Sequence, residues 1–437
     1  MNLDTSSPRG QVRPKTSHDR TYSHAEPPGG VRAWLVWGVA VGVYFLAMFH
    51  RNGLAVAALE AQERFQVGPA LLSALPVIQL VVYVVLQLPA GLLADRLGPS
   101  RTLLIGLLAM AAGVVLFAVA PGFPLALAAR MLIGLGDAVI FLNVIRLAAL
   151  WFPRGQYALV SAFTGVFGSL GQVASVAPLS AALAGFGWTV AFLGAGAVTL
   201  VMTLLVLFVV RDRPPGARVG APSAPISIRA SVVEAVRARG PRVGMTNHAV
   251  IQAPYTMLAA LWGYPFLVEG AGLPSATASV ALTVLGVATL WVAPVVGACI
   301  GRWPAARRPI AITTATLVSL GWLVFVGWPG GPPPTPLVIV HFAVGAGATV
   351  MAAPMSFDFA RDGIPARRTG VASSLVNMSG FAVVVLTTVG AGAILEALPE
   401  PHGGVDYQMA FLPVATTSTV GAVLLTAQLW RYPRERP

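Results

Sequence analysis

Long apolar runs, separated by short polar or Pro- and Gly-rich turns, recur along nearly the whole chain. Each run has about 20 residues or more, the length that an α-helix needs to cross a bilayer. The alternating segments of about 10 residues that are typical of a membrane β-barrel do not occur. The pattern predicts twelve membrane-spanning helices, at residues 33–57, 70–93, 102–120, 125–149, 157–183, 188–210, 243–268, 275–300, 309–328, 336–359, 370–397 and 408–430.

Composition supports a polytopic membrane protein. Hydrophobic residues make up 56% of the 437 positions and charged residues only 10%, whereas a soluble domain has about 25% charged residues. Cys299 is the only cysteine, which excludes an intramolecular disulfide. No group of His, Cys, Asp and Glu has metal-ligand spacing, and no nucleotide-binding or hydrolase motif occurs. We therefore expect neither an enzyme nor a bound metal or cofactor.

The basic residues lie mostly in alternate loops, a distribution that sets the orientation of a membrane protein. Of the 28 basic residues, only Arg51, Arg64, Arg130 and Arg146 fall outside the segments that are cytoplasmic when the N-terminus is inside. The net charge of +12 thus reflects topology and not nucleic-acid binding. We expect a multi-pass protein of the cell (cytoplasmic) membrane with both termini in the cytoplasm.

A Pro-, Gly- and Arg-rich segment at 211–242 separates six spans from six. Its stretch IRASVVEAVRARG predicts a short amphipathic helix on the membrane surface. The first 30 residues are polar and Pro-rich, as in disordered tails. The sequence thus predicts a disordered cytoplasmic tail, a six-helix bundle, a cytoplasmic linker, a second six-helix bundle and a cytoplasmic tail, at residues 1–30, 31–211, 212–240, 241–432 and 433–437.

The segments after spans 2 and 8 echo each other, as GLLADRLGPSR (91–101) and GACIGRWPAAR (297–307). In both, arginines follow a glycine at the fifth and tenth positions, and such repetition between six-span halves is typical of transporters. The first segment resembles the signature loop of the major facilitator superfamily, at Gly91, Leu93, Ala94, Asp95, Arg96, Gly98 and Arg101. The resemblance extends over about residues 31–432.

This resemblance implies an all-α membrane protein with twelve transmembrane helices in two pseudo-symmetric six-helix bundles, the major facilitator fold. It also implies that the glycines and charged residues of the loop form a gate, which braces the cytoplasmic side in one state and releases it in the other: Gly91, Asp95, Arg96, Gly98 and Arg101. In the second copy Gly301 stands at the position of the aspartate. We therefore expect an Asp-based brace only in the first half.

Span 4 carries a second resemblance. RMLIGLGDAVIFLNVIRLAALWFPRGQ (130–156) is similar to the anion:cation symporter branch of the superfamily, at Arg130, Gly134, Gly136, Asp137, Trp151, Phe152 and Pro153. That branch usually has an Asp-Arg pair in span 1. Here the pair is His50-Arg51, so the arginine matches and the acid does not, which leaves the substrate range of the branch open.

Arg51 lies in FHRNGLAV (49–56), inside span 1. An arginine at mid-membrane depth costs about 2.5–3.5 kcal/mol on insertion scales, so such residues usually face a cavity or the bundle interior. A guanidinium binds carboxylates and phosphates through its planar fork. We interpret Arg51 as the anchor of an anionic ligand. The alternatives are a structural ion pair, for example with Asp137, and snorkelling to the headgroups.

Asp137 is the only carboxylate deep in the first half, and it shares one face of span 4 with Arg130, seven residues earlier. It is the first candidate for proton coupling, with a structural network as the alternative. His50 is the second candidate, with capping or packing as its alternative. Asp358 and Arg361 suggest a gate pair. Polar side chains on the spans complete the predicted substrate site around Arg51: Asn52, Gln79, Tyr83, Arg130, Gln252, Tyr255 and Asn377.

The superfamily resemblance implies that substrate binds midway between the halves, which expose it alternately to each side. An anion moved towards a negative interior costs about 2.3 kcal/mol per charge per 100 mV, and a cotransported proton cancels this cost. We therefore predict proton-coupled transport of a small organic anion, a carboxylate or a phosphorylated metabolite. The alternative is a proton-antiport exporter of drugs or other lipophilic compounds, although span 5 lacks the Gly-Pro motif common in such exporters. The expected partners are the substrate, protons and the bilayer, with the protein a monomer that binds no nucleic acid.

Overall fold

The computed structural model describes residues 29–214, 228–302, 306–365 and 368–431, which form helices joined by short turns, without a strand among them. The predicted N-terminal tail lies outside these ranges except for its last two residues. The predicted C-terminal tail and the centre of the predicted linker also lie outside them. The all-α architecture predicted from the sequence is confirmed, and the predicted linker helix is present as Ile228–Arg237.

The helices follow one another with few intervening residues. In chain order they are α1 (Val31–Asn52), α2 (Ala58–Phe65), α3 (Pro69–Leu97), α4 (Pro99–Val119), α5 (Phe123–Trp151), α6 (Arg154–Ala174), α7 (Ala177–Val209), α8 (Ile228–Arg237), α9 (Arg239–Met257), α10 (Gly263–Pro265), α11 (Ser275–Arg302), α12 (Arg307–Gly327), α13 (Thr335–Phe359), α14 (Thr369–Glu396), α15 (Gly404–Ala410) and α16 (Leu412–Trp430). Two π-helical turns, Leu258–Trp262 and Phe266–Gly270, flank α10.

These helices give twelve spans in the described part of the chain. Spans 1 to 4 are α1, α3, α4 and α5, and span 5 is α6 with the start of α7. Span 6 is the rest of α7, after a break at Gly187, whose φ of +73° suits glycine. Span 7 runs from α9 through the second π turn, spans 8 to 11 are α11 to α14, and span 12 is α15 with α16. By length and composition alone, nine stretches of described residues qualify to cross a membrane, and one of them, Leu159–Val209, holds two spans.

Span 1 ends earlier than its apolar run predicts. The run continues to residue 57, but α1 stops at Asn52, and the following residues form turns before α2 begins. A Cβ on Gly53 would lie 2.9 Å from Cδ2 of Leu179 and 3.1 Å from the carbonyl oxygen of Phe49. The chain thus leaves the helix in close contact with Leu179 of α7. Arg51 is consequently placed in the last helical turn.

Each half has its own apolar core. In the first half, Trp37 of α1 and Leu107 of α4 belong to one buried cluster; in the second half, Ile251 of α9 and Phe359 of α13 belong to another. Lipid gives no hydrophobic drive for helices to associate, so close packing of small and apolar side chains holds such bundles together.

The two halves are in contact at the end of the molecule where α3 begins. A third buried cluster crosses between them there and includes Leu54 of the first half and Trp262 of the second. At the same end, the backbone N–H of Ala70 donates to Oε2 of Glu396, at the end of α14, over 3.2 Å. This is the extracellular end in the predicted orientation, and it is closed.

Candidate functional site

A glycine on α5 brings the charged side chains of this helix into the middle of the first half. A Cβ on Gly134 would lie 2.6 Å from the carbonyl oxygen of Gln79 on α3. Only a glycine therefore allows α5 to pack this closely on α3, as small residues do in membrane bundles. Arg130 and Asp137, which flank this glycine on α5, lie in the bundle interior and are 2% and 1% exposed.

Arg51 and Asp137 form the centre of the site. Nε of Arg51 donates to Oδ2 of Asp137 over 2.7 Å, and Nη2 donates to Oδ1 over 2.8 Å. Bidentate pairing of this kind is among the strongest contacts of a guanidinium with a carboxylate. The side chain of Asp137 is 1% exposed and that of Arg51 is 11% exposed. Arg51 is thus the more exposed member of a largely buried pair.

Aromatic side chains from both halves cover the ion pair. The guanidinium carbon of Arg51 lies 4.4 Å from the ring centre of Tyr83 on α3 and 5.7 Å from that of Phe381 on α14. The two rings meet edge to face at 5.3 Å. Asn377 of α14 donates from Nδ2 to the hydroxyl of Tyr83 over 3.5 Å. The cluster therefore joins α1, α3 and α5 of the first half to α14 of the second.

Arg130 and His50 form a separate cluster. Nη1 of Arg130 donates to the carbonyl oxygen of His50 over 3.3 Å, and its guanidinium carbon lies 5.4 Å from the ring centre of Phe117. Nη2 of Arg130 has no hydrogen-bond partner among the described residues, and the side chain borders a cavity with room for about one water molecule. The ring of His50 hydrogen-bonds through Nε2 to Oγ1 of Thr199 over 2.8 Å. Arg130 therefore does not share the carboxylate that Arg51 binds.

Two predicted contacts lie on α9, in the second half. The hydroxyl of Tyr255 accepts a hydrogen bond from Nε2 of Gln172 on α6 over 3.3 Å, which is a further polar contact across the halves. Gln252, nearly one turn earlier on the same helix, donates to Oγ1 of Thr256 over 2.9 Å. Tyr255 thus contributes to the contact between the halves, whereas the amide of Gln252 is bound to its own helix.

Two other predicted contacts do not join the group around Arg51. Asn52 donates from Nδ2 to the carbonyl oxygen of Met48 over 2.8 Å, because consecutive residues of a helix do not face the same way. Gln79 is fully buried, and neither atom of its amide has a hydrogen-bond partner in the described part of the chain. The members that the structure brings together are therefore Arg51, Asp137, Tyr83 and Asn377.

Two side chains near this group were not identified from the sequence. Phe381 gave no signal because it lies within an apolar run. His248 of α9 is 3% exposed, and neither ring nitrogen has a hydrogen-bond partner among the described residues. A Cβ on Gly380 of α14 would lie 3.0 Å from its Nε2. The four-residue spacing from Gln252, which places both on one helix face, is the signal that would have marked His248.

The signature segment after span 2 is helical and not a loop. α3 and α4 are separated only by Gly98, whose φ of +83° is a conformation that glycine adopts without strain. The backbone N–H of Ser100, in the first turn of α4, donates to Oδ1 of Asp212 over 2.6 Å. A carboxylate at a helix N-terminus is stabilising, so Asp212, which follows α7, ties the end of span 6 to this turn.

The gating role of this segment stays a prediction. Arg96 and Arg101 are exposed, as arginines that serve only to orient the protein in the membrane also are. The side chain of Asp95 and the surroundings of Gly91 lie outside the described part of the structure. Of the five predicted gating residues, only Gly98 is therefore seen in a defined structural role, as the hinge between two helices.

Arg307 is the centre of an ionic cluster in the second half. It donates to Oδ2 of Asp358 over 3.2 Å and to Oδ2 of Asp362 over 2.8 Å. The predicted gate pair of Asp358 with Arg361 stays a prediction: in the described residues Asp358 is paired with Arg307, and α13 ends at Phe359, before Arg361. Arg361 lies beyond this end and is exposed.

Comparisons with solved structures agree with this architecture. A bacterial homologue of the human lysosomal transporter Spinster, in an inward-facing and unoccupied conformation, matches with a TM-score of 0.71 at 14% identity, over 92% of this chain and 97% of that one. The D-xylose-proton symporter matches with a TM-score of 0.70 at 12% identity, over 92% and 98%. At these identities the likeness shows the fold.

Sequence relatives are transporters. The chain is 32% identical over 180 residues to an uncharacterised transporter of Bacillus subtilis, covering 40% of each protein. It is 27% identical over 180 residues to a probable sulfoacetate transporter of Cupriavidus necator, covering 41% of this chain and 42% of that one. It is 29% identical over 185 residues to a putative tartrate transporter of Agrobacterium vitis, covering 40% and 42%. The matches thus span about two fifths of the length of these relatives.

The family model described as Major Facilitator Superfamily matches residues 40–388, which is most of the chain. It agrees with the twelve spans, with the solved structures of the same fold and with relatives that are transporters and not enzymes. The chain is thus a multi-pass membrane protein and belongs to the Major Facilitator Superfamily.

Proposed function

We propose that this chain is a secondary active transporter that moves a small organic anion, a carboxylate or a phosphorylated metabolite, across the cell membrane by proton-coupled alternating access. In this proposal Arg51 binds the anionic group and Asp137 takes up the proton. The observation that carries the proposal is the buried, bidentate ion pair between these two side chains.

The ion pair makes the binding of anion and proton interdependent. While Asp137 is ionised it occupies Nε and Nη2 of Arg51, and an anion has to displace it. Breaking a buried pair by removing one partner costs about 3–5 kcal/mol, so Arg51 is released to a ligand only when Asp137 is neutralised. A proton on Asp137 does this, and the arriving anion replaces the lost negative charge. Anion and proton therefore bind together and leave together.

The same exchange keeps the site electrically balanced. A site with a monoanion and a proton has the same net charge as the empty site. The loaded protein therefore changes conformation without the cost of about 2.3 kcal/mol per charge per 100 mV that a bare anion would meet. Coupling of one proton to one negative charge is thus the arrangement that the geometry supports best.

Alternating access requires contacts between the halves that break and re-form. The bond from Asn377 to the hydroxyl of Tyr83 and the bond from Gln172 to Tyr255 both cross between the halves. We expect residues 31–211 and 241–432 to rock as two bundles joined by the linker at 212–240, with both termini in the cytoplasm. The ion pair lies beside the first of these contacts, so an anion or a proton bound at the pair alters the contact between the halves.

The named substrates of two relatives support an anion. The protein of Cupriavidus necator is a probable sulfoacetate transporter, and that of Agrobacterium vitis is a putative tartrate transporter. Both names denote small organic acids with negatively charged groups. An arginine is well suited to bind such groups, because its planar guanidinium donates two parallel hydrogen bonds.

The test starts with a ligand screen of the purified chain. Small carboxylates, sulfonates and phosphate esters are compared with lipophilic cations for their effect on the melting midpoint, which a ligand of the folded state raises. Uptake of the anion that raises the melting midpoint most is then measured in proteoliposomes with an imposed proton gradient. Arg51→Gln should lose the stabilisation by the anion. Asp137→Asn should still exchange labelled for unlabelled anion but should not accumulate it against a gradient.

Arg64→Gln is the matched control for the lost positive charge. Arg64 lies in the last turn of α2 and donates to the carbonyl oxygen of Ala120, away from the ion pair, so this variant should bind and accumulate the anion as the wild type does. Equal uptake at every imposed pH gradient would refute proton coupling. Stabilisation by lipophilic cations alone would refute the anion and favour the proton-antiport exporter of lipophilic compounds.

A further inference from the structure

The linker helix α8 packs on the second half at the level where spans begin. Ser231 and Ala235, four residues apart, are both buried, and Ala235 belongs to a cluster with Ala372 and Val376 of α14. α8 also leads almost directly into α9, the start of span 7. It therefore lies at the ends of two spans, at the depth of the membrane surface.

The opposite face of α8 combines cations and apolar side chains. Arg229, Val233, Val236 and Arg237 have the spacing of one helical face. All four are exposed, the two valines by 42% and 49%. A face on which exposed valines alternate with arginines suits a surface that is itself part apolar and part anionic.

A cleft of about 850 Å³ runs along this face. Its lining carries Arg229, Arg237 and Arg368, with Val233 between them. Glu234, the one acid among the lining residues, accepts a hydrogen bond from Arg368. Neither Arg229 nor Arg237 has an acidic partner in the described part of the chain. Three arginines against one glutamate give the cleft a net positive charge.

We propose that this cleft binds the headgroup of an anionic phospholipid, with its phosphate between Arg229 and Arg237 and its acyl chains along Val233 and Val236. The sign of the charge requires an anion, and the exposed valines beside the arginines require that the anion carry an apolar part. A basic amphipathic helix at the membrane surface meets such a molecule in the adjoining leaflet. A zwitterionic lipid offers the same chains without the net charge and binds less tightly.

Native mass spectrometry of the full chain in detergent tests this proposal. The protein is titrated with phosphatidylglycerol or with phosphatidylcholine of the same acyl chains. An arginine near an anionic lipid surface contributes about fivefold in affinity, so Arg229→Gln/Arg237→Gln should weaken phosphatidylglycerol binding about 25-fold and leave phosphatidylcholine binding unchanged. Glu234→Gln should strengthen phosphatidylglycerol binding, because Arg368 then joins the free cations. If the double variant melts below the wild type, its weaker binding could reflect instability, and the tighter binding expected of Glu234→Gln then tests the proposal.

Arg211→Gln/Arg213→Gln is the matched control, since it removes the same charge beyond the end of α7 and outside the cleft. It should bind phosphatidylglycerol as the wild type does. Equal affinity for the two lipids, or equal affinity of the control and of Arg229→Gln/Arg237→Gln for phosphatidylglycerol, would overturn the proposal. Inorganic phosphate is the third ligand. The cleft takes a soluble anion, and the lipid proposal is wrong, if two results occur together. Inorganic phosphate binds the wild type and not the double variant, and phosphatidylglycerol binds no more tightly than phosphatidylcholine.

Discussion

Asp137→Asn is the most direct perturbation of the central ion pair. The side chain keeps its size, and its amide oxygen can still accept one hydrogen bond, but the negative charge is lost. Arg51 is then left with a side chain only 11% exposed and no counter-charge, and a guanidinium does not give up its proton in a protein. The variant therefore isolates the electrostatic part of the contact.

The magnitude follows from the geometry. Both oxygens of Asp137 accept from Arg51, at 2.7 and 2.8 Å, and removal of one partner of a buried pair costs about 3–5 kcal/mol. The amide oxygen keeps one of the two hydrogen bonds, so we expect a loss near the lower end, about 3 kcal/mol. Arg51→Gln should cost less, because an unpaired Asp137 can take up a proton and become neutral.

The double variant Arg51→Gln/Asp137→Asn completes the cycle. Loss of both charges leaves no uncompensated ion, and such replacements are often nearly neutral. The assay is the melting midpoint from intrinsic fluorescence, for which the chain provides ten tryptophans. All variants are compared in one detergent at one scan rate, because unfolding of membrane proteins is commonly under kinetic control. The expected order of melting is wild type and double variant highest, Arg51→Gln next and Asp137→Asn lowest.

Additivity would refute this reasoning. If the double variant is destabilised relative to the wild type by the sum of the two single losses, the two side chains do not interact. An Asp137→Asn variant that melts with the wild type would show that the buried arginine has another counter-charge.

Three further changes have defined outcomes. Gly171→Ala should destabilise the protein by about 1–3 kcal/mol, because the new Cβ would overlap the carbonyl oxygen of Phe45. In the control Gly165→Ala the new Cβ meets nothing within 4 Å, so this variant should melt as the wild type does. Equal melting midpoints of the two variants would contradict the packing. Tyr83→Phe removes the hydroxyl that bonds to α14 but keeps the ring, so a loss of about 1 kcal/mol is expected in the same melting assay, and a loss above 3 would point to a larger role of the hydroxyl. Glu396→Gln weakens the charge that caps α3 across the halves, so spin labels on the two halves at the end where α3 begins should report a larger separated population; an unchanged distance distribution would contradict this.

The spans were predictable because the bilayer imposes their length and their apolar character. The end of span 1 was not, since the residues after Gly53 are as apolar as a span and nevertheless form turns. The signature segment was expected as a loop, yet glycine at position 98 lets two helices follow each other with a single residue between them. Such junctions depend on backbone geometry that an apolar pattern does not encode.

The centre of the site was predictable only in part. Spacing along α5 correctly predicts that Arg130 and Asp137 share a face, but not which arginine pairs with the carboxylate. Arg51 lies 86 residues away from Asp137, and the choice depends on how α1 packs on α5. For Arg51 the ion pair was an alternative to the anion anchor. The structure shows the ion pair, and the anchor stays a prediction. Phe381 carried no polar signal at all.

The two π-helical turns of span 7 bear on the history of the chain. A π turn closes its hydrogen bonds five residues apart, so it holds about one residue more than an α turn of the same height. Leu258–Trp262 and Phe266–Gly270 are therefore places where the helix has accommodated a single inserted residue without giving up its backbone bonds. Removal of one residue from either turn restores a regular α-helix and leaves every residue beyond it on its present face. In an alignment of relatives, one-residue gaps within span 7 should consequently fall in these two stretches, and the packed faces on both sides of them should stay in register.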